Sequence, residues 1–171
     1  MAKRIKLNNV RLSFPSLFQK SSFDGNEGKY EATFLFPKSD KKMYNMVMEA
    51  IEECKVENKN TKVPDDKLCI IDGDTKEYDG YEGMWAVKGS NNKRITLLDR
   101  DKTQLAEEDG VLYAGCYVNA ILEPWSQSNK YGKRINANLY GVQFVKDGEP
   151  FGDGNVDVTD DFDAFDDEDD L

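Results

Sequence analysis

The sequence predicts a mainly β fold, a small Greek-key barrel of OB type, with one amphipathic helix and a disordered acidic C-terminal tail. Three observations carry that expectation. Five or six short segments alternate apolar and polar residues. One helical stripe lies between an early and a middle strand, an order that suits a small closed β architecture. The balance of charge breaks near residue 150, separating a folded body, residues 1–150, from residues 151–171. An open sandwich built from the same strands is the alternative architecture.

The elements follow in order. Ile5 to Phe14 reads as a strand, with Ile5 and Leu7 on one parity and Val10, Leu12 and Phe14 on the other. The phase slips near Asn8-Asn9, as a bulge would cause, and Pro15 ends the strand. Ser21 to Gly28 is a polar loop. Lys29 to Phe36 is the second strand, with Tyr30, Ala32, Phe34 and Phe36 on one face and Thr33 and Leu35 on the other. Ser39 or Asp40 can cap a helix running to about Val56. Met43, Met46, Val47, Ala50, Ile51 and Cys54 form its single apolar stripe, which is read as core contact. Asn58 to Lys67 is a polar connector, Leu68 to Ile71 a short strand, and Asp72 to Gly83 a turn-rich loop. Strands then recur at Met84 to Lys88, Ile95 to Asp99, Tyr113 to Trp125 and Arg134 to Val145. Ser126 to Lys133, rich in Asn, Ser and Gly, joins the last two as a hairpin turn. There is no internal repeat.

The whole net charge of −10 resides in the tail, because residues 151–171 hold ten of the thirty-three acids and no Lys or Arg. Twenty-three acids then face twenty-three bases in residues 1–150, which are formally neutral. The acidic pI therefore describes an appendage and does not exclude nucleic acid as a ligand. A run of like charges with little apolar surface cannot offset the entropy of ordering. Gly148, Gly152 and Gly154 make a flexible junction before it. A plain solubilising tail has no need of Phe162, Phe165 and a terminal Leu171. Acid punctuated by aromatics suits either mimicry of nucleic acid in a basic groove or docking into basic-rimmed apolar pockets on partner proteins.

Several chemistries are excluded or weakened. Histidine is absent, which removes Ser-His and Cys-His nucleophile systems and His-based zinc sites. The three cysteines, Cys54, Cys69 and Cys116, are scattered and form no C-x-x-C, which suits buried thiols in a reduced cytoplasm. No run of eighteen apolar residues occurs, and the basic N-terminus lacks the apolar core of a secretory signal. Asp72, Asp74 and Asp79 are the best candidates for a carboxylate metal site. Their spacing fails as a calcium loop, and a solvated turn-rich loop explains them better. No metal, cofactor or catalytic residue is expected.

The segment Tyr113 to Trp125 is the most informative. Cys116, Val118, Ala120 and Leu122 share one parity and make a core face. Tyr113, Tyr117 and Trp125 share the other with Asn119 and Glu123, so aromatics sit on a polar face. Basic residues interleave with aromatics elsewhere, as in Trp85…Lys88…Lys93-Arg94, Arg100 and Trp125…Lys130-Tyr131…Lys133-Arg134. Exposed rings beside Lys and Arg can stack on any base and neutralise phosphate without reading sequence, as a single-strand binder requires. The candidate nucleic-acid residues are thus Trp85, Lys88, Lys93, Arg94, Arg100, Tyr117, Trp125, Lys130, Tyr131, Lys133 and Arg134. Each taken singly is equally a barrel-edge aromatic or a solvated base.

Five segments together resemble the single-stranded DNA-binding proteins of bacteriophage replication modules, especially those of phages and prophages of Gram-positive bacteria. They are Leu7 to Pro15, Tyr30 to Lys38, Asp79 to Gly83, Tyr113 to Ala120 and Gly141 to Pro150. The resemblance lies in their order and spacing and implies an OB-type fold that coats single strands during replication or recombination in the host bacterial cytoplasm. It implies single-stranded DNA and replication or recombination proteins as partners, the latter through Phe162, Phe165 and Leu171, with a homodimer an open option. Related tails commonly end in an aromatic residue, whereas this one ends in Leu171. Two other readings are a DNA mimic that inhibits a host nuclease or restriction system, and a metal-dependent nuclease using Asp72, Asp74 and Asp79. A mimic should be acidic over its folded body, and this body is neutral.

Overall fold

The computed structural model describes residues 4–23, 26–59, 62–130, 132–151 and 161–165. Nine strands occur among them: β1 (Ile5–Ser16), β2 (Ser22–Phe23), β3 (Asn26–Glu27), β4 (Tyr30–Pro37), β5 (Ile70–Asp72), β6 (Met84–Asn91), β7 (Thr96–Leu98), β8 (Tyr117–Asn129) and β9 (Gly132–Lys146). One α-helix, α1 (Lys41–Glu57), lies between β4 and β6 in the chain. The large sheet runs β5-β6-β4-β1-β8-β9-β7, and a parallel pairing of β6 with β9 at Ser90 and Asn138 closes β1, β4, β6, β9 and β8 into a barrel. The expected mainly β, OB-like barrel with one amphipathic helix is therefore observed. β2 and β3 form a small hairpin within the connection from β1 to β4.

Alternation sets the barrel's interior. Ala32, Phe34 and Phe36 of β4, Val118, Ala120 and Leu122 of β8, and Ile135, Ala137 and Leu139 of β9 are all buried. The phase slip in β1 is a bulge between Leu7 and Val10 in the pairing with β8. Asn9 takes it up at φ 54°, a left-handed conformation that Asn tolerates, and its N–H donates to Asn119 Oδ1 at 2.9 Å. The helix is capped by Asp40, whose Oδ1 accepts from Met43 N–H at 3.1 Å, and it buries Val47, Ala50, Ile51 and Cys54 against the barrel. That is the stripe expected from sequence.

Several boundaries differ from expectation: β1 runs through Pro15 to Ser16, so Pro15 does not end it, and β6 runs on to Asn91. Two further differences have local reasons. The eighth strand starts at Tyr117, not Tyr113, because Gly115 turns the chain at φ 112°, where a Cβ would meet Glu149 C=O. The β8–β9 ladder runs to the Asn129–Gly132 pair, so most of the expected eight-residue turn belongs to the ladder. Residues Ser126 to Ser128 extend the ladder by pairing with Ile135 to Lys133 instead of leaving it.

Candidate nucleic-acid interface

Cross-strand partners share a face. Leu12 faces Phe34 inside the barrel, so Arg11–Leu35 and Ser13–Thr33 lie outside it. The same rule puts Leu35–Ala86 and Thr33–Lys88 of β4 and β6 outside, with Ile71 of β5 beside Ala86. The loop 73–83 folds over this outer face. Tyr81 is buried on it with Leu35 and Ala86, and its hydroxyl shares a 2.8 Å hydrogen bond with Ser13 Oγ. Burial pushes the Tyr81 phenol up, so it stays a neutral hydrogen-bonding group.

Two further rings stand at the rim. Phe14 is 56% exposed and Tyr78 is 51% exposed. They meet edge to face with centroids 4.9 Å apart, and Tyr78 meets Tyr81 at 5.1 Å. Phe14 reaches the outside because its backbone turns left-handed at φ 46°, which breaks the parity it shares in sequence with buried Val10 and Leu12. These rings border a groove of about 480 Å³ whose walls also carry Thr33, Lys76, Lys88 and Arg134. It continues toward the β8–β9 hairpin as a second depression of about 320 Å³, lined by Lys29, Lys67, Gln127 and Asn136 and sharing Lys88 and Arg134 with the first. Five cations thus follow one track, with Glu31 and Asp66 as its acids. Glu31 lies 3.5 Å from Lys88 Nζ, and Lys88 remains 63% exposed.

A solvent-facing ion-pair clip holds the base of the aromatic loop. Lys38 Nζ lies 2.5 Å from both Asp72 Oδ1 and Asp74 Oδ2. Asp74 Oδ1 also accepts from Gly83 N–H at 2.8 Å, and Gly83 C=O accepts from Lys38 N–H at 3.0 Å. Hydrogen bonds from Lys38 hold the Asp72 and Asp74 carboxyls below the usual range, and those carboxylates raise Lys38. An ammonium therefore occupies the position that a cation would need between the two acids. Among the described residues no group of three or more His, Cys, Asp or Glu is placed to hold a metal ion.

The sequence-predicted residues divide into groups. Lys88 and Arg134 line the groove. Trp125 is the cross-strand partner of Asn136 and so lies on the face that bounds the groove's hairpin end. Lys130 and Lys133 are exposed at the hairpin tip, and Tyr131 lies outside the described residues. Tyr117 sits on the outer face of β8, flanked by Lys146 at 4.8 Å and Arg11 at 6.0 Å, one strand beyond the groove. Trp85 has the opposite parity from Ala86. It stacks on Tyr44 of α1 at 4.6 Å and 20°, so it packs the helix and does not reach the groove. Arg94 lines a separate depression with Phe18 and Leu105 beside β7, and Lys93 and Arg100 lie in the turns before and after β7. Phe162 and Phe165 are 75% and 89% exposed, and Leu171 lies outside the described residues.

Sequence reasoning missed Phe14, Tyr78, Tyr81, Lys76, Lys29 and Lys67. Phe14 was hidden by its parity. Tyr78 and Tyr81 were hidden in a segment read as a solvated loop, though two tyrosines within four residues of Gly and Asp are a signal that such a loop packs on something.

A family model described as the single-stranded DNA-binding protein of Enterobacter phage Enc34 matches residues 3–171. The chain is 40% identical over 172 residues to "Putative protein p50" of Acyrthosiphon pisum secondary endosymbiont phage 1, spanning 94% of this chain and 92% of that one. It is 39% identical to the single-stranded DNA-binding protein from bacteriophage Enc34, with a TM-score of 0.79 over 94% of this chain and 90% of that one. The same Enc34 protein solved in complex with single-stranded DNA matches at 39% identity and a TM-score of 0.79, over 87% and 89% of the two chains. The gp2.5 single-stranded DNA-binding protein of bacteriophage T7 shares the fold, at 15% identity and a TM-score of 0.56 over 95% and 96%. None of these phage names carries the Gram-positive host class expected from sequence. With a family match over nearly the whole length and two relatives near 40% identity, the chain belongs to the family of the bacteriophage Enc34 single-stranded DNA-binding protein.

Proposed function

We propose that this chain binds single-stranded DNA with little base preference, along the groove on the outer face of β4 and β6, and acts in phage DNA replication or recombination in the host cytoplasm. One observation carries the reading: two half-exposed rings, Phe14 and Tyr78, stand edge to face at the mouth of a groove that carries Lys76, Lys88 and Arg134. Base stacking on such rings contributes roughly 1–3 kcal/mol per base and tolerates any base, while the cations neutralise the backbone. A duplex hides its base faces and cannot use the rings. The groove also lies where OB folds bind oligonucleotides, on the face of the second and third barrel strands beside the last hairpin.

The tail serves two roles in this proposal. Its ten carboxylates, tethered next to a basic groove, compete with phosphate at high effective concentration. DNA then displaces the tail and frees Phe162, Phe165 and Leu171 to dock replication or recombination proteins. The neutral body weighs against the DNA-mimic reading, since the acids of a mimic must cover its folded surface. The test is a titration of labelled single-stranded and matched duplex oligonucleotides at two salt concentrations. Tighter binding to the single strand at both is expected, and equal or tighter duplex binding would overturn the proposal.

A further inference from the structure

By composition Phe151 begins the acidic tail, yet its surroundings place it in the body. Its N–H donates to Ala114 C=O at 3.2 Å. Its ring packs against the cluster of Leu35, Tyr81 and Ala86, under the aromatic loop 73–83. The Arg11 guanidinium lies 4.1 Å from the ring centroid, while Arg11 Nε donates to Gly115 C=O at 3.1 Å and Nη2 donates to Glu149 C=O. Arg11 thus ties the segment before Phe151 to the barrel and covers the ring with a cation. On the other side the ring presses on Gly80. A Cβ at Gly80 would lie 2.1 Å from Phe151 Cε1, so the close approach requires glycine there, as does the backbone at φ 84°. Upstream, Gly148 is packed against Gly115 C=O and the Tyr117 ring, and its N–H donates to Tyr113 OH at 3.1 Å. Residues 147–151 are therefore a strap fixed at several points, with an aromatic end wedged beneath the turn between Tyr78 and Tyr81.

We infer that Phe151 is a positioning residue for the aromatic loop, so that the root of the tail and the base-stacking rings form one mechanical unit. Tyr81 is the link: it touches the Phe151 cluster below and both Phe14 and Tyr78 at the rim. The Lys38 clip fixes the two ends of the loop near Asp74 and Gly83, and neither contact reaches its middle. Phe151 supplies that central support beside the Tyr81–Ser13 hydrogen bond. The consequence differs from electrostatic competition by the tail. Competition fades as salt screens it, whereas a loop that has lost its packing stays misplaced at any salt. A cut before residue 151 would then combine two opposite effects, removal of competing charge and loss of the support.

The inference deepens the proposed DNA-binding reading, and its test separates the two. The full chain, Phe151→Ala, Phe151→Leu and Gly80→Ala would be compared by amide hydrogen exchange without DNA and by titration with a labelled oligothymidine at low and high salt. Phe151→Ala and Gly80→Ala should speed exchange across residues 76–83 by about tenfold with α1 and β8 unchanged, and Phe151→Leu should restore most of the protection. Binding should weaken by about five- to tenfold in both variants at both salts, with the salt slope unchanged. Exchange across 76–83 that does not respond to Phe151→Ala, or that rises equally in α1 and β8, overturns the inference. Faster loop exchange in the variants, with a parent chain that binds no single strand, leaves the positioning role intact and overturns the functional reading instead.

Discussion

Replacing Phe14 should uncouple binding from stability. Phe14 is 56% exposed as a residue, so removing its ring forfeits about half or less of the stabilisation of a buried Phe, about 1 kcal/mol. Its edge contact with Tyr78 adds about another 1 kcal/mol. Against this, a non-glycine at φ 46° costs about 1–2 kcal/mol, and the following Pro15 disfavours compact backbone at this position further. Glycine removes that cost and returns about 0.5–1 kcal/mol through greater freedom of the unfolded chain. Phe14→Gly should then be about 1 kcal/mol less stable than the parent, whereas Phe14→Ala, which keeps the strain, should be about 2 kcal/mol less stable. This reverses the usual order of alanine and glycine. Both variants should lose roughly 1–3 kcal/mol of single-strand affinity, about 5- to 150-fold in Kd, because the stacking ring is gone from each. Urea unfolding gives the stabilities, and fluorescence anisotropy with a short labelled oligonucleotide gives the affinities. A glycine variant less stable than the alanine variant would show that Phe14 is not strained. Parent-like affinity in both would show that its ring meets no base.

Lys88→Ala and Arg134→Ala should each reduce the log–log salt slope of single-strand binding by about 0.7, and Glu31→Gln, which frees Lys88 from its 3.5 Å neighbour, should tighten binding at low salt. Asn substitutions across Asp166 to Asp170 should tighten DNA binding at low salt and lose that effect at high salt, while Phe162→Ala with Phe165→Ala should leave DNA affinity unchanged and weaken capture of a replication protein. The Lys38 clip should stabilise the fold only while its groups are charged. The lowered Asp72 and Asp74 contribute above their ordinary 3.8 and lose that contribution as pH falls through their folded values, and the raised Lys38 contributes below its ordinary 10.5 and is lost as pH rises through its folded value. The difference in urea midpoint between the parent and Lys38→Met should therefore be full at neutral pH and vanish on strong acidification, a trend that a pH series of unfolding curves measures directly.

The barrel was legible because alternation is a local record of burial. Ala32, Phe34 and Phe36, Val118, Ala120 and Leu122, and the helical stripe from Val47 to Cys54 each face the core as their spacing requires. The bulge at Asn9 was legible for the same reason, since a slip in phase has one simple backbone cause. Closure by β6 and β9 was not, because a single parallel pairing between Ser90 and Asn138 leaves no local trace.

The candidate site was legible only where its side chains lie on regular strands. Lys88 and Arg134 could be found as bases beside aromatics, but the same interleaving selected Trp85 and Arg94, and parity and topology send those two to the helix and to the β7 edge. The rings that face the groove come from places where the backbone leaves regular geometry: Phe14 from a left-handed residue, Tyr78 and Tyr81 from a loop held by an ion-pair clip and a glycine turn. Here the rings at the groove are lifted from the sheet, Phe14 by a left-handed backbone and Tyr78 by the loop 73–83, and neither device writes a period into the sequence. The acids that looked like a metal site are part of that lifting apparatus. Asp72 and Asp74 have the charge of a ligand pair, but their cation is Lys38, and what they hold is the loop that carries the rings.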